Sequence, residues 1–253
     1  YGMNLSEADT DKVFAASKGN PLYLSAILER IKKSGIQELS SLPESISAFY
    51  HNELINKYAI NNDDLLRDAL STMAVLREAP TADALAEILH LQNKRMIKNR
   101  VLNRLPGYLI ESGRHNTYSF FHESFRECLS HGENPILDHD DILASHRRVI
   151  EWCEPLEQWK EGDPRLNYGF EHLPRHYWEV GEKDHRDAFS GFLNLLGRNN
   201  LRCEIACRVF LRDWIRQRSP KDLLEDGVFL KRMEDLFVEG NDAARYALLR
   251  LQG

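Results

Sequence analysis

Apolar residues recur along most of this chain at helical spacing, and glycine, proline and capping residues cut the recurrence into segments. Ser6, with Asp9 three residues on, resembles a capping box, and the helix it opens stops at Gly19. Asn20 and Pro21 restart a helix as N-cap and first helical residue, where the missing proline N–H costs nothing. Leu22, Ile27, Leu28 and Ile31 form its apolar face, and Gly35 ends it. A further helix follows Pro43, with Ile46, Phe49, Tyr50, Leu54 and Tyr58 directed inward. Helical patterns continue at 63–76, 82–90 and 93–105. The period then changes: 107–112 and 117–121 read as short strands joined by a turn at 113–116, a hairpin. His122 stands at the end of the second strand and opens a helix to about residue 130. Later helices are expected at 140–159, 164–180, 184–196 and 201–218, with shorter ones to the end, punctuated by Asp163-Pro164, Gly181, Asn200, Ser219-Pro220 and Gly240-Asn241.

The expected fold is mainly α, in three parts. Residues 1–60 form a small helical lid domain. Residues 61–132, three helices followed by a small β-hairpin, have the order of a winged-helix domain. Residues 133–253 form an antiparallel helical arm, without a clean internal repeat. At 253 residues and 42% apolar content the chain can build ordinary buried cores. No apolar run approaches the roughly 18 residues of a membrane span, and no charged-then-apolar leader is seen, so a soluble cytoplasmic protein is expected. Cys128, Cys153, Cys203 and Cys207 are too sparse for a disulfide framework and are expected as thiols. A net charge of −6 argues against nucleic-acid binding by the whole chain, because phosphate neutralisation supplies most of that affinity.

The order Lys18-Gly19-Asn20-Pro21-Leu22-Tyr23-Leu24, a helical domain, a winged helix closing on Phe121-His122-Glu123, and a helical arm resembles part of the STAND-class signalling NTPases of the NACHT and NB-ARC type. The part in question lies C-terminal to their nucleotide-binding core. The stretch from Tyr168 to His176, followed by Gly181, is similar to the helical connector that often precedes sensor repeats in such proteins. The resemblance implies that Pro21 packs on adenine and that His122 contacts the β-phosphate of bound ADP. It also implies ADP or ATP with Mg as ligands of the intact protein, a P-loop domain as N-terminal partner, and homo-oligomerisation on activation. Phe121 replaces the family's methionine and Glu123 its aspartate, and no G-x-x-x-x-G-K-[ST] loop occurs. The chain is therefore expected to be a piece of a longer or split protein. It carries no catalytic residues of its own and should not hydrolyse ATP alone.

Elementary chemistry allows both roles. Pro21 presents a rigid apolar ring at a helix start, and His122 lies at a helix N-terminus, where the dipole favours an anion. Each also has a plain structural reading: a proline starting a helix after a glycine stop, and a histidine capping a helix at the wing.

Two other chemistries come from spacing. Residues 93–105 carry Lys94, Arg95, Lys98, Arg100 and Arg104 without an acid, the density of a DNA-reading helix, which makes a winged-helix DNA-binding regulator the alternative reading. At about 100° per residue these charges surround the helix instead of forming one stripe. His172 and His176, and Cys203 and Cys207, stand at i,i+4 and could assemble a zinc site, but both pairs read better as packing, and no metal site is expected. The carboxylates are scattered along helix faces, and no Ser/His/Asp or Cys/His catalytic arrangement emerges. The expected role is regulatory: a segment that closes over nucleotide and controls assembly, as in immune or antiviral switches. Its trigger, effector and stoichiometry are not legible.

Overall fold

Short polar side chains set the start of most helices in the computed structural model of the chain, which describes residues 5–17, 21–35, 43, 45–113, 115–131, 135–154, 156–181 and 231. Ser6 accepts from the backbone N–H of Asp9 at 3.2 Å and donates to its carboxylate, and α1 runs over Glu7–Ser17. α2 covers Pro21–Ser34. It ends at Gly35, whose φ of +91° lies in the left-handed region that glycine enters without a Cβ clash. The expected stop and cap at Gly19 and Asn20 lie outside the described residues. Ser45 caps α3 (Ile46–Asn52), which widens into a π-helical turn over Glu53–Lys57 before Ala59, at φ +51°, redirects the chain.

Asp63, Thr81 and Asn93 each accept a backbone N–H to cap α4 (Asp64–Val75), α5 (Ala82–Ile88) and α6 (Lys94–Arg100). The helix expected over 93–105 is shorter than its pattern. It breaks at Val101 (φ −123°, ψ −69°) and continues as a 3₁₀ turn over Leu102–Arg104, and Pro106 bars a return to helix beyond Leu105. Strands β1 (Leu109–Ser112) and β2 (Thr117–Phe120) pair antiparallel in the register Leu109 to Phe120 through Ser112 to Thr117. A bridge between Thr81 and Thr117, with Tyr118 donating to the carbonyl of Pro80 at 2.8 Å, ties the hairpin to the start of α5. α7 spans Glu123–Ser130, with His122 as its cap instead of its first residue.

α8 (His139–Cys153) opens with a reciprocal capping box between Asp138 and Asp141. The pattern carried this helix to Trp159. It stops at Cys153 because Glu154 precedes Pro155 and takes the extended conformation, φ −87° and ψ 148°. α9 (Pro164–Gly181) keeps the buried Pro174 in its interior, and at Gly169 a Cβ would come within 2.4 Å of the Leu156 side chain. The helices expected at 184–196, 201–218 and beyond lie outside the described residues. Among the described residues the protein is mainly helical with one two-stranded antiparallel sheet, and no helix is long and apolar enough to cross a membrane.

One hydrophobic cluster runs from Val13 on α1 to Leu137 ahead of α8. Phe49, Tyr50, Leu54 and Tyr58 are buried in it, and Ile46 packs at its edge. α8 lies across α4 and α5, and α9 lies on α8. Along the α4–α8 contact, Arg67 donates to Asp141 at 2.7 Å and to Asp138 at 3.1 Å. The buried hydroxyl of Ser145 donates to that of Ser71 at 2.7 Å, and Arg148 reaches Asp68 at 2.7 Å.

Asp63 is the polar junction of the N-terminal part. It accepts the Leu66 N–H at 3.1 Å and both Arg100 and Arg104, while Arg104 also donates to the Tyr58 carbonyl at 2.8 Å. Burial works against the Asp63 charge, but the Leu66 N–H and the two guanidinium groups outweigh it and hold the carboxyl below its usual range. Asp63→Ala is expected to lower stability by about 2–3 kcal/mol, combining a lost cap with lost charge-assisted hydrogen bonds, as read by urea unfolding. A depressed carboxylate stabilises above its unfolded value of about 3.9 and stops doing so as pH falls through the folded one. The gap between wild type and variant should therefore close below about pH 4.

Candidate functional site

Phe121 donates its backbone N–H to the Tyr108 carbonyl at 2.9 Å, one residue past β2, so the chain reaches His122 still extended (φ −147°, ψ 146°). There the helix begins. The His122 Nδ1 accepts the Ser124 backbone N–H at 3.1 Å and lies 2.9 Å from the Ser124 hydroxyl. With Nδ1 used as acceptor, the neutral ring carries its proton on Nε2, which has no hydrogen-bond partner among the described residues. His122 is exposed, and the ring of Phe121 beside it is 49% exposed.

Below this surface sits a group of rings. Phe125, three residues into the same turn, is 1% exposed. It meets Tyr50 and Tyr108 at centroid distances of 5.0 Å each and Phe120 at 5.4 Å. Tyr50 contacts Phe49 at 5.9 Å, and Phe49 contacts Tyr23 at 5.7 Å. Tyr23 follows Pro21 by two residues on α2, and its hydroxyl donates to the Pro43 carbonyl. Three ring contacts therefore connect the helix that Pro21 opens with the helix that His122 caps. Pro21 is the first residue of α2, as its fixed φ favours, and its ring lies outside the described side chains.

The basic residues of α6 and the turn after it are mostly matched by acids. Lys94 pairs with Asp83 at 2.9 Å, Arg100 with Asp63 at 3.4 Å, Arg104 with Asp63, and Lys98 lies 4.0 Å from Glu111. Arg95 alone of the five has no acidic partner among the described residues.

The histidines at 172 and 176 separate into different environments. His172 is partly exposed and places Nε2 2.9 Å from the Glu78 carboxylate. His176 is buried with both ring nitrogens engaged: Nε2 lies 2.8 Å from the Tyr168 hydroxyl, and Nδ1 lies 2.7 Å from Nδ1 of His146. It has no lone pair to give a metal beside His172, and Cys203 and Cys207 lie outside the described residues.

The buried histidines form a chain. Tyr168 oxygen accepts the Arg77 backbone N–H at 3.3 Å and lies 2.8 Å from His176 Nε2. A Tyr168 hydrogen given to that nitrogen leaves the proton of a neutral His176 on Nδ1, as the donor to His146. Sequence reasoning missed this chain. Its signal was available, because His146 falls on the buried stripe Leu143, His146, Val149, Cys153 of α8. Burial pushes the His146 pKa down to about 4, helped by the nearby His131 and His139, and burial with His146, His172 and Arg175 keeps His176 well below the ordinary histidine range. No family model, curated protein or solved structure matches the chain.

Imidazoles held neutral inside the fold stabilise it above the unfolded histidine pKa of about 6.5, and that stabilisation is lost as pH falls toward the folded value near 4. Unfolding measured in steps across this interval should show wild type losing stability faster than His146→Leu. Parallel curves for the two would contradict the assignment.

Proposed function

We propose that this chain is the regulatory segment of a STAND-class NTPase of the NACHT or NB-ARC kind, closing over ADP or ATP held by a P-loop domain and controlling passage to an oligomeric state. In this reading α4–α7 with the hairpin are its winged helix, α1–α3 its lid, and α8–α9 the base of a helical arm. The single observation that carries it is the exposed His122 at the hairpin-to-helix junction, with Nδ1 committed to the cap and Nε2 left without a hydrogen-bond partner among the described residues. A phosphate oxygen suits an Nε2–H donor, and the N-terminus of α7 adds partial positive charge beside it. The ring contacts from Tyr23 to Phe125 support the same reading. They give the two motifs that resemble the family a common apolar base on which lid and winged helix can move together.

Closure needs little energy. A shift from 1:99 to 99:1 takes about 5.5 kcal/mol of differential binding, within the range of a few charge-assisted contacts. The alternative, a DNA-reading winged helix, has less behind it, because acids already face most of the cations of the candidate recognition helix.

His122→Asn in the intact protein separates the roles, since asparagine is a good N-cap but does not reproduce the Nε2–H. ADP retention should fall about 10- to 100-fold, the equivalent of one charge-assisted hydrogen bond, with thermal stability nearly unchanged and assembly altered. Wild-type ADP retention and assembly in this variant would reject the proposal. Titration with duplex DNA at low and moderate salt should show no salt-sensitive binding, and binding that weakens in Arg95→Ala would favour the alternative.

A further inference from the structure

Glu78, in the loop after α4, and the neighbouring residues Glu171 and His172 on α9 bring their ligand atoms within 4.8 Å of one another. We propose that these three side chains bind a divalent transition ion of the zinc class, with water completing its coordination. This inference is independent of the nucleotide reading above.

The donor set selects the class of ion. Two carboxylates supply the charge that balances a divalent cation, and the imidazole supplies a nitrogen, a donor suited to zinc and its neighbours, whereas magnesium and calcium take oxygen. Ligand atoms held about 2.0–2.2 Å from one ion at angles of 90–110° stand roughly 2.9–3.5 Å apart. His172 Nε2 and the Glu78 carboxylate are already 2.9 Å apart, so an ion can replace the hydrogen between them with little movement.

The two segments that carry the donors are fixed to each other from below. The N–H of Arg77, the residue before Glu78, donates to the Tyr168 hydroxyl, and the Tyr168 ring lies against that of His172 at 4.7 Å between centroids. Tyr168 is fixed in turn by the buried His176 and His146. A mobile surface pair would lose conformational freedom on binding an ion. Here the backbone beside Glu78 and the ring of His172 are already held, which lowers that cost. Glu78 and Glu171 are exposed and His172 is partly so, which gives an ion a direct approach from solvent. Sequence spacing cannot suggest the set, because Glu78 and His172 are 94 residues apart.

The test is calorimetric titration of the intact chain with Zn²⁺, together with Glu78→Gln, Glu171→Gln and His172→Ala. The expected result is one saturable site that each substitution weakens at least about tenfold, the lower end of the loss seen even for outer-shell partners. Both glutamate variants change exposed side chains, so they decide the matter if His172→Ala unfolds. Three results would each overturn the proposal: no saturable binding at millimolar Zn²⁺, affinity unchanged in the glutamate variants, or Mg²⁺ competing on equal terms.

Discussion

The burial of the Phe125 side chain is the contact on which the N-terminal half depends. Its ring is nearly inaccessible and touches rings from α3, from the approach to β1, and from β2. Full burial of such a side chain contributes about 1.5–3 kcal/mol, and each well-placed ring pair adds about 0.5–1.5 kcal/mol. The larger consequence is positional. Phe125 stands on the first turn of α7, so fixing its ring fixes the angle at which that helix leaves the hairpin, and with it the place of the histidine at its cap.

α4 plays the corresponding part for the second half. Its apolar side joins the main core, while Arg67, Asp68 and Ser71 meet α8 through ion pairs and a hydroxyl pair. Two small hydroxylated residues facing each other let the helices come close, and the charged contacts on either side set the register. α8 is held to α4 by directional bonds as well as apolar contact. Its geometry is more specific than burial alone would make it.

Much of this was legible in order and little of it in detail. Helix starts could be read because a capping side chain acts on backbone two or three residues away, and Ser6, Asp63 and the hairpin's pattern all speak locally. Helix ends were harder. α8 stops short of its apolar periodicity because a following proline constrains the residue before it, a steric effect that overrides pattern, and α6 gives way at Val101 to a 3₁₀ turn. The place of His122 between strand and helix was legible, while its Nδ1 bond to Ser124 needed coordinates. The pairing of the α6 cations with Asp63, Asp83 and Glu111 was not visible in a sequence window that held no acid, because the partners come from other elements. The same limit hid the histidine chain: His146 and His176 are brought together by helix packing across 30 residues.

The cap at α7 has a consequence of its own. The nitrogen of His122 that holds the first helical turn belongs to a ring on the protein surface, so one side chain both starts the helix and faces solvent. The bond to the Ser124 amide fixes one edge of the imidazole against the backbone, and the ring cannot swing away without freeing that N–H. The orientation of an exposed side chain and the onset of a helix are thereby set by one contact.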